Sequence, residues 1–129
     1  MDRIGDFLTI IRNASKAQNE LCSAQWSKLC EGISKILKDS GYIHDYQVIS
    51  DDNGFKRLQV TLKCVQEVPA ITNIKRESTP GCRRYCGYNE IPRVLSGLGI
   101  AVLTTSQGVK SDRSAKAEKL GGELICTVW

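Results

Sequence analysis

The sequence predicts an α+β protein of two small domains: an α-β-α-β-β amino-terminal unit over residues 1–66, and a mostly β carboxy-terminal unit with short helices over 67–129. Three observations carry this. Two segments within the first forty residues repeat apolar side chains at helical spacing. Two later segments of β-rich or alternating character flank the turn signal Asp51-Asp52-Asn53-Gly54. The second half has only short apolar stretches, punctuated by Pro80-Gly81, Gly97, Gly99, Gly108 and Gly121-Gly122.

Ile4, Phe7, Leu8, Ile11 and Ala14 make one stripe, so a first helix is expected over 2–17. A short strand fits near 21–24. Ser27 has the chemistry of an N-cap, and Leu29, Cys30, Ile33, Ile36 and Leu37 form the stripe of a second helix that Gly41 stops. A strand is expected over 43–50, with Tyr46 and Val48 on one face. After the turn, Leu58, Val60, Leu62 and Cys64 alternate with Arg57, Gln59, Thr61 and Lys63, which is the pattern of a half-buried strand. Two helices on one face of a small sheet follow from this order.

The region from Gln66 to Ala70 has no pattern and holds Pro69, so the boundary is placed there. Strands are expected over 71–77 and 83–88, separated by the Thr79-Pro80-Gly81 turn. Pro92 suits the first turn of a short helix through Val94 and Leu95. The unbroken apolar run Ile100 to Leu103 reads as a strand covered on both faces. Ser111 or Asp112 can cap a helix reaching about Leu120, and 123–128 is the last strand.

Charge is modest. The chain carries 18 basic and 14 acidic side chains, net +4. Residues 1–65 hold 9 and 8 of these, and residues 66–129 hold 9 and 6, so the excess lies in the second half. That hints at a polyanionic partner without requiring one. Met1-Asp2-Arg3 opens directly into an amphipathic pattern, and no apolar run approaches the ~20 residues that span a bilayer. A soluble interior protein with no membrane partner is expected.

The six cysteines are Cys22, Cys30, Cys64, Cys82, Cys86 and Cys126. Without a secretion signal, a disulfide framework is not expected. Only Cys82 and Cys86 have a short ligand-like spacing, which is half of a structural zinc pattern, so no metal site is assigned. Cys30, Cys64 and Cys126 fall at apolar periodic positions and read as small core residues. No catalytic residue is assigned either. The only histidine, His44, lies beside Asp45 in a strand, and Gly97-Leu98-Gly99 lacks the third glycine of a dinucleotide fingerprint. No cofactor is implied. Trp26 and Trp129 could serve a protein-interaction patch or pack on their own units.

The stretch richest in information runs from Gly97 to Val109. An apolar strand enters the hydroxyl cluster Thr104, Thr105 and Ser106, then Gln107 and a glycine, Gly108. Spacing alone allows two readings: hydroxyls that finish a strand, or hydroxyls presented to a ligand. Arg83, Arg84, Tyr85 and Tyr88 follow the Pro80-Gly81 turn. They could line a solvated strand, or could meet phosphate and stack on a base.

The run from Gly97 to Gly108, Ser111-Asp112-Arg113 and Gly121-Gly122-Glu123-Leu124-Ile125-Cys126 closely resemble the carboxy-terminal part of the bacterial small-subunit ribosomal protein S-eight family. Asp2 to Asn13 resembles that family's first helix. Ser27-Lys28-Leu29, Ile36-Leu37-Lys38 with Gly41-Tyr42-Ile43, and Pro80-Gly81 with Arg83 and Tyr85 lie between them in the same order. The resemblance covers the whole chain.

It implies a structural constituent of the small ribosomal subunit, in the bacterial cytoplasm or in an organelle. The implied partner is the central domain of small-subunit rRNA, with help in assembling the platform. Ribosomal proteins of the fifth and twelfth small-subunit families are implied as neighbours. Some members also bind their own messenger RNA. The matching hydroxyl tripeptide of that family inserts against a distorted rRNA segment, so Thr104, Thr105, Ser106, Gln107 and Gly108 are expected at RNA. The wide, shallow minor groove of RNA offers 2′-hydroxyls and base edges to such short side chains.

The resemblance also supports Arg83 and Tyr85 near RNA, and Glu123 as an acceptor from a base or a 2′-hydroxyl or as an orienter of Ser106. Lys28, Lys56 and Arg57 are candidate phosphate contacts, with Lys28 beside the open N–H groups of a helix start. Arg12-Asn13 matches the family pattern in the first helix. Departures reduce the cationic component: Gln107 stands where the family usually has lysine, Thr79 where it often has a cation, and Cys86, Gly87 and Tyr88 where further basic residues are frequent. Each lost cation removes a phosphate partner and flattens the salt dependence of binding.

Overall fold

The computed structural model describes residues 3–94 and 97–129. The chain divides into two compact units, Met1–Thr72 and Asn73–Trp129.

The first unit runs α1 (Arg3–Lys16), β1 (Leu21–Gln25), α2 (Lys28–Asp39), β2 (Ile43–Ser50), β3 (Lys56–Leu62), β4 (Cys64–Val65) and β5 (Val68–Pro69). β1, β3 and β2 form an antiparallel sheet with β3 in the middle. Ala24, Leu58 and Val48 are paired across it, as are Cys22, Val60 and Tyr46. Paired residues share a face, and Leu58 and Val60 on that face are buried with Phe7, Leu8 and Ile11 of α1 and Cys30, Ile33 and Leu37 of α2. Each such large apolar side chain contributes about 1.5–3 kcal/mol by leaving water, as an upper estimate. The other face is polar: Ser23, Gln59 and Gln47 form one row, and Gln25, Arg57 and Ile49 the next.

Local chemistry sets the ends of these elements. Ser27 Oγ accepts from the Cys30 backbone N–H at 3.1 Å, as an N-cap should. At the far end Gly41 has φ +82°, and the Tyr42 N–H reaches Leu37 O at 2.8 Å, so the left-handed residue closes the orphan carbonyls. Asp51 Oδ1 accepts from the backbone N–H groups of Asn53 and Phe55, which ties the β2–β3 turn. His44 sits at a register shift in β2 and is exposed. Lys38 and Asp45 pair at 3.0 Å; their hydrogen bond raises the lysine pKa and lowers that of the aspartate.

One expectation fails here. The alternation predicts a strand through to Cys64, but β3 stops at Leu62 and the chain turns into a two-stranded ribbon, β4 with β5. Cys64 is therefore exposed and is not a core residue. The ribbon turns through Gln66 and Glu67, both left-handed at φ 53° and 66°. Residues 67–72 group with the first unit: Gln18 Nε2 donates to Glu67 O at 3.4 Å, and Ser15 Oγ to Ile71 O at 3.1 Å.

The second unit runs β6 (Ile74–Arg76), β7 (Tyr85–Cys86), β8 (Ile100–Thr105), β9 (Gly108–Ser111), α3 (Asp112–Ala117) and β10 (Gly122–Val128). Its antiparallel sheet has the order β6-β10-β8-β9, with β7 also on β10. A bulge between Leu124 and Cys126 resets the faces of β10. Leu103 and Leu124 face a core shared with Ala101, Ile91, Val94 and Ala115 of α3, against which Cys86 and Trp129 pack. Ile74, Val102, Cys126 and Val128, from the neighbouring register pairs, are also buried. The apolar run of β8 is thus covered on both sides, as expected.

Several elements are shorter than the sequence suggests. The 71–77 strand reduces to β6 and the 83–88 strand to β7, because regular pairing with β10 breaks between them, where Glu77 and Ser78 both donate to Ile125 O and Leu124 donates to Arg84 O. The last helix is capped by Ser111 but ends at Ala117, and Lys119 beyond it is left-handed at φ 56°. Ile91 to Val94 form no helix; Leu95, the expected end of that helix, lies outside the described residues. Among the described residues, no helix is long and apolar enough to cross a membrane.

Candidate nucleic-acid interface

The hydroxyl cluster sits on a hairpin. β8 and β9 pair through Thr105 and Gly108, leaving Ser106 and Gln107 as a two-residue loop at the tip. Gly108 takes φ +106°, a conformation that a Cβ would strain. Thr105 Oγ1 donates to Gly108 O at 2.8 Å and accepts from the Gln107 N–H at 3.2 Å. Its hydroxyl therefore organises the loop. Among the described residues, the hydroxyls of Thr104 and Ser106 make no hydrogen bond within the chain, and Ser106 and Gln107 are exposed. The tripeptide divides into one internal brace and two hydroxyls without an internal partner among the described residues.

The base of the hairpin continues as a row across the sheet. Thr104 pairs with Glu123 of β10, and Glu123 with Tyr85 of β7, so the three share one face. Tyr85 is 69% exposed, an unusual state for an aromatic on a sheet. The next row pairs Thr105, Gly122 and Cys86. A Cβ at Gly122 would collide with Thr104 O, and one at Gly121 would lie 2.7 Å from Cys86 O. The double glycine lets the three backbones close on one another here.

Glu123 does not engage Ser106. Its Oε1 accepts from Ser78 Oγ at 2.9 Å and from Arg83 Nη1 at 3.0 Å. Ser78 is fully buried, and its hydroxyl also accepts from the Arg84 backbone N–H at 3.2 Å. Arg76 Nε donates to Ser78 O, fixing the same loop from below. A parallel network holds Arg84: its guanidinium pairs with Glu77, which also accepts from Thr127 Oγ1 at 3.3 Å. Sequence reasoning placed Arg83, Tyr85 and Glu123 but missed Ser78. A serine two residues before Pro-Gly was the only local hint, and burial is not visible in it.

Lys28, Lys56 and Arg57 lie in the first unit, and all three are exposed. Lys28 opens α2. Lys56 Nζ sits 4.7 Å from the centre of the Trp26 ring, a cation–π contact. Arg57 Nε donates to Ser23 Oγ at 3.0 Å on the polar face of the sheet. Trp26 Nε1 donates to Glu31 Oε2 at 3.3 Å, so this tryptophan packs on its own unit.

Burial raises the Cys126 thiol from 9.0 to about 12 and the Cys22 thiol to about 11, so both stay protonated and inert near neutrality. Among the described residues, no group of three or more His, Cys, Asp or Glu side chains could hold a metal ion.

The chain is an α+β protein with antiparallel sheets, and its second unit carries the hydroxyl hairpin, an arginine paired with a carboxylate and an exposed ring. The chain belongs to the Ribosomal protein S8 family, whose sequence profile matches residues 2–129. It is similar to the small ribosomal subunit protein uS8 of Opitutus terrae, at 53% identity over 128 residues, covering 99% of this chain and 98% of that one. The protein of the same name from Anaeromyxobacter dehalogenans strain 2CP-C is 50% identical over 129 residues, covering 99% and 97%. That from Parabacteroides distasonis is 46% identical over 129 residues, covering 99% and 98%. The chain is accordingly a structural ribosomal protein and not an enzyme.

Proposed function

We propose that this ribosomal protein is a primary binder of the central domain of small-subunit rRNA and helps assemble the platform of the bacterial subunit. The carboxy-terminal unit carries recognition. Thr104 and Ser106 offer their hydroxyls to base edges and ribose, the backbone at Gly108 approaches without a side chain, and Tyr85 supplies a face for stacking. Gln107 at the tip can add a side-chain amide. Lys28, Lys56 and Arg57 of the amino-terminal unit meet phosphates. Ribosomal proteins of the fifth and twelfth small-subunit families are its neighbours, and its own messenger RNA is a second ligand where it copies the rRNA site.

The observation that carries this reading is the hairpin itself, in which one hydroxyl braces the loop while two have no internal partner among the described residues. The test is affinity for a central-domain fragment with Ser106→Ala and with Ser106→Ala plus Thr104→Val. Loss of about 1–3 kcal/mol per missing contact is expected. Unchanged affinity in the double variant would remove the hairpin from the interface.

A further inference from the structure

Arg83, two residues before β7, is not a free cation. Arg83 Nη1 lies 3.0 Å from Glu123 Oε1, and the Glu123 side chain is only 16% exposed. The same oxygen is fixed by Ser78 Oγ, which is itself fully buried and held by the Arg84 N–H. The order is Arg84 N–H to Ser78, Ser78 to Glu123, Arg83 to Glu123. Each link constrains the next, and the last member is half-exposed beside the row of Thr104 and Tyr85.

We propose that Ser78 and Glu123 are positioning residues that set what Arg83 recognises. The Ser78–Glu123–Arg83 chain neutralises and orients the guanidinium so that its remaining N–H groups meet neutral acceptors of RNA rather than phosphate. The physical reason is charge. A guanidinium already paired with a carboxylate at hydrogen-bond distance offers little net field to a phosphate, and a phosphate would face the carboxylate as well. Its outward N–H groups still donate, and a base O or N, or a 2′-hydroxyl, accepts without repulsion. The site would then read edges and shape, and would release few counterions on binding. This inference rests on the rRNA-binding reading above.

The experiment uses the full chain, a central-domain rRNA fragment and an unrelated RNA duplex as competitor. Affinities are taken between about 50 and 200 mM salt for wild type, Glu123→Gln, Ser78→Ala and the double variant. Glu123→Gln keeps an acceptor for Ser78 but removes the charge, so Arg83 becomes available to phosphate. Its plot of log affinity against log salt should steepen by about 0.7–0.9, one phosphate's worth. Its preference for the fragment over the duplex should fall.

Ser78→Ala should move both quantities the same way, and the double variant should be no worse than Glu123→Gln alone. A merely structural role would lower affinity at all salts without changing the slope. Identical slopes and preferences for wild type and Glu123→Gln would overturn the inference, even if Ser78→Ala does not fold. Wild type without preference for the fragment would overturn the rRNA-binding reading first, and this inference with it.

Discussion

Gly122 is where the fold and the candidate interface depend on the same atom being absent. It lies opposite Thr105 of β8 and Cys86 of β7. A methyl group placed there would overlap Thr104 O and would lie 3.0 Å from Thr104 C and 3.2 Å from Thr105 Cα. All three are backbone atoms, so no side chain can swing aside. In Gly122→Ala, β8 and β10 must separate locally. The pairs at risk are Gly122 with Thr105 and Glu123 with Thr104. Overpacking costs about 1–3 kcal/mol, and each lost ladder hydrogen bond about 1 kcal/mol more, so about 2–4 kcal/mol is expected. Urea unfolding reads this as a lower midpoint at unchanged slope. Because Thr104 and Glu123 move with the strands, affinity for the rRNA fragment should fall too. A loss below about 0.5 kcal/mol would show that the strands yield freely, and the argument for close backbone packing would fail.

Other consequences are narrower. Ser27→Ala removes the acceptor for the Cys30 N–H and should cost about 1 kcal/mol in unfolding free energy, while Ser27→Gly should cost only a few tenths. Thr105→Val should destabilise the chain by about 1 kcal/mol, because its hydroxyl braces Gly108 O and the Gln107 N–H, whereas Ser106→Ala should leave stability unchanged. Comparing their melting curves separates brace from ligand contact.

Thiol burial gives a pH effect. Cys126 is raised to about 12 in the folded chain against an ordinary 9.0, and Cys22 to about 11. Above the ordinary value the unfolded chain loses these protons and the folded chain keeps them. Stability held below pH 9 is therefore lost as pH rises towards 11 and 12. Cys126→Ala should make the alkaline decline in unfolding midpoint shallower, and an unchanged decline would remove the thiol as its cause.

The legible parts of this fold are those written in local periodicity. The stripe of α1, the Ser27 cap of α2, the Asp51 to Gly54 turn and the apolar run of β8 all depend on neighbours in sequence. What escaped depends on partners far along the chain. Alternation through Cys64 gave no sign that β3 stops at Leu62, because the stop comes from a ribbon turning through Gln66 and Glu67, neither a usual left-handed residue. β6 and β7 are short because β10 is bulged and limits what can pair with it. Within the candidate interface, the hydroxyls, Arg83, Tyr85 and Glu123 were legible through family resemblance. Their internal division was not. Only the fold separates Thr105 as a brace from Ser106, whose hydroxyl has no partner among the described residues, and only the fold brings buried Ser78 to a carboxylate 45 residues away.

The central claim is specific rRNA recognition through the hydroxyl hairpin. Its most direct test is the ratio of affinities for a central-domain rRNA fragment and an unrelated RNA duplex at moderate salt, measured for wild type and Ser106→Ala. The account predicts a strong preference for the fragment that persists as salt rises and shrinks about 5- to 150-fold in Ser106→Ala, the factor for 1–3 kcal/mol. Equal affinity of wild type for the two RNAs, or a preference untouched by Ser106→Ala, would contradict it.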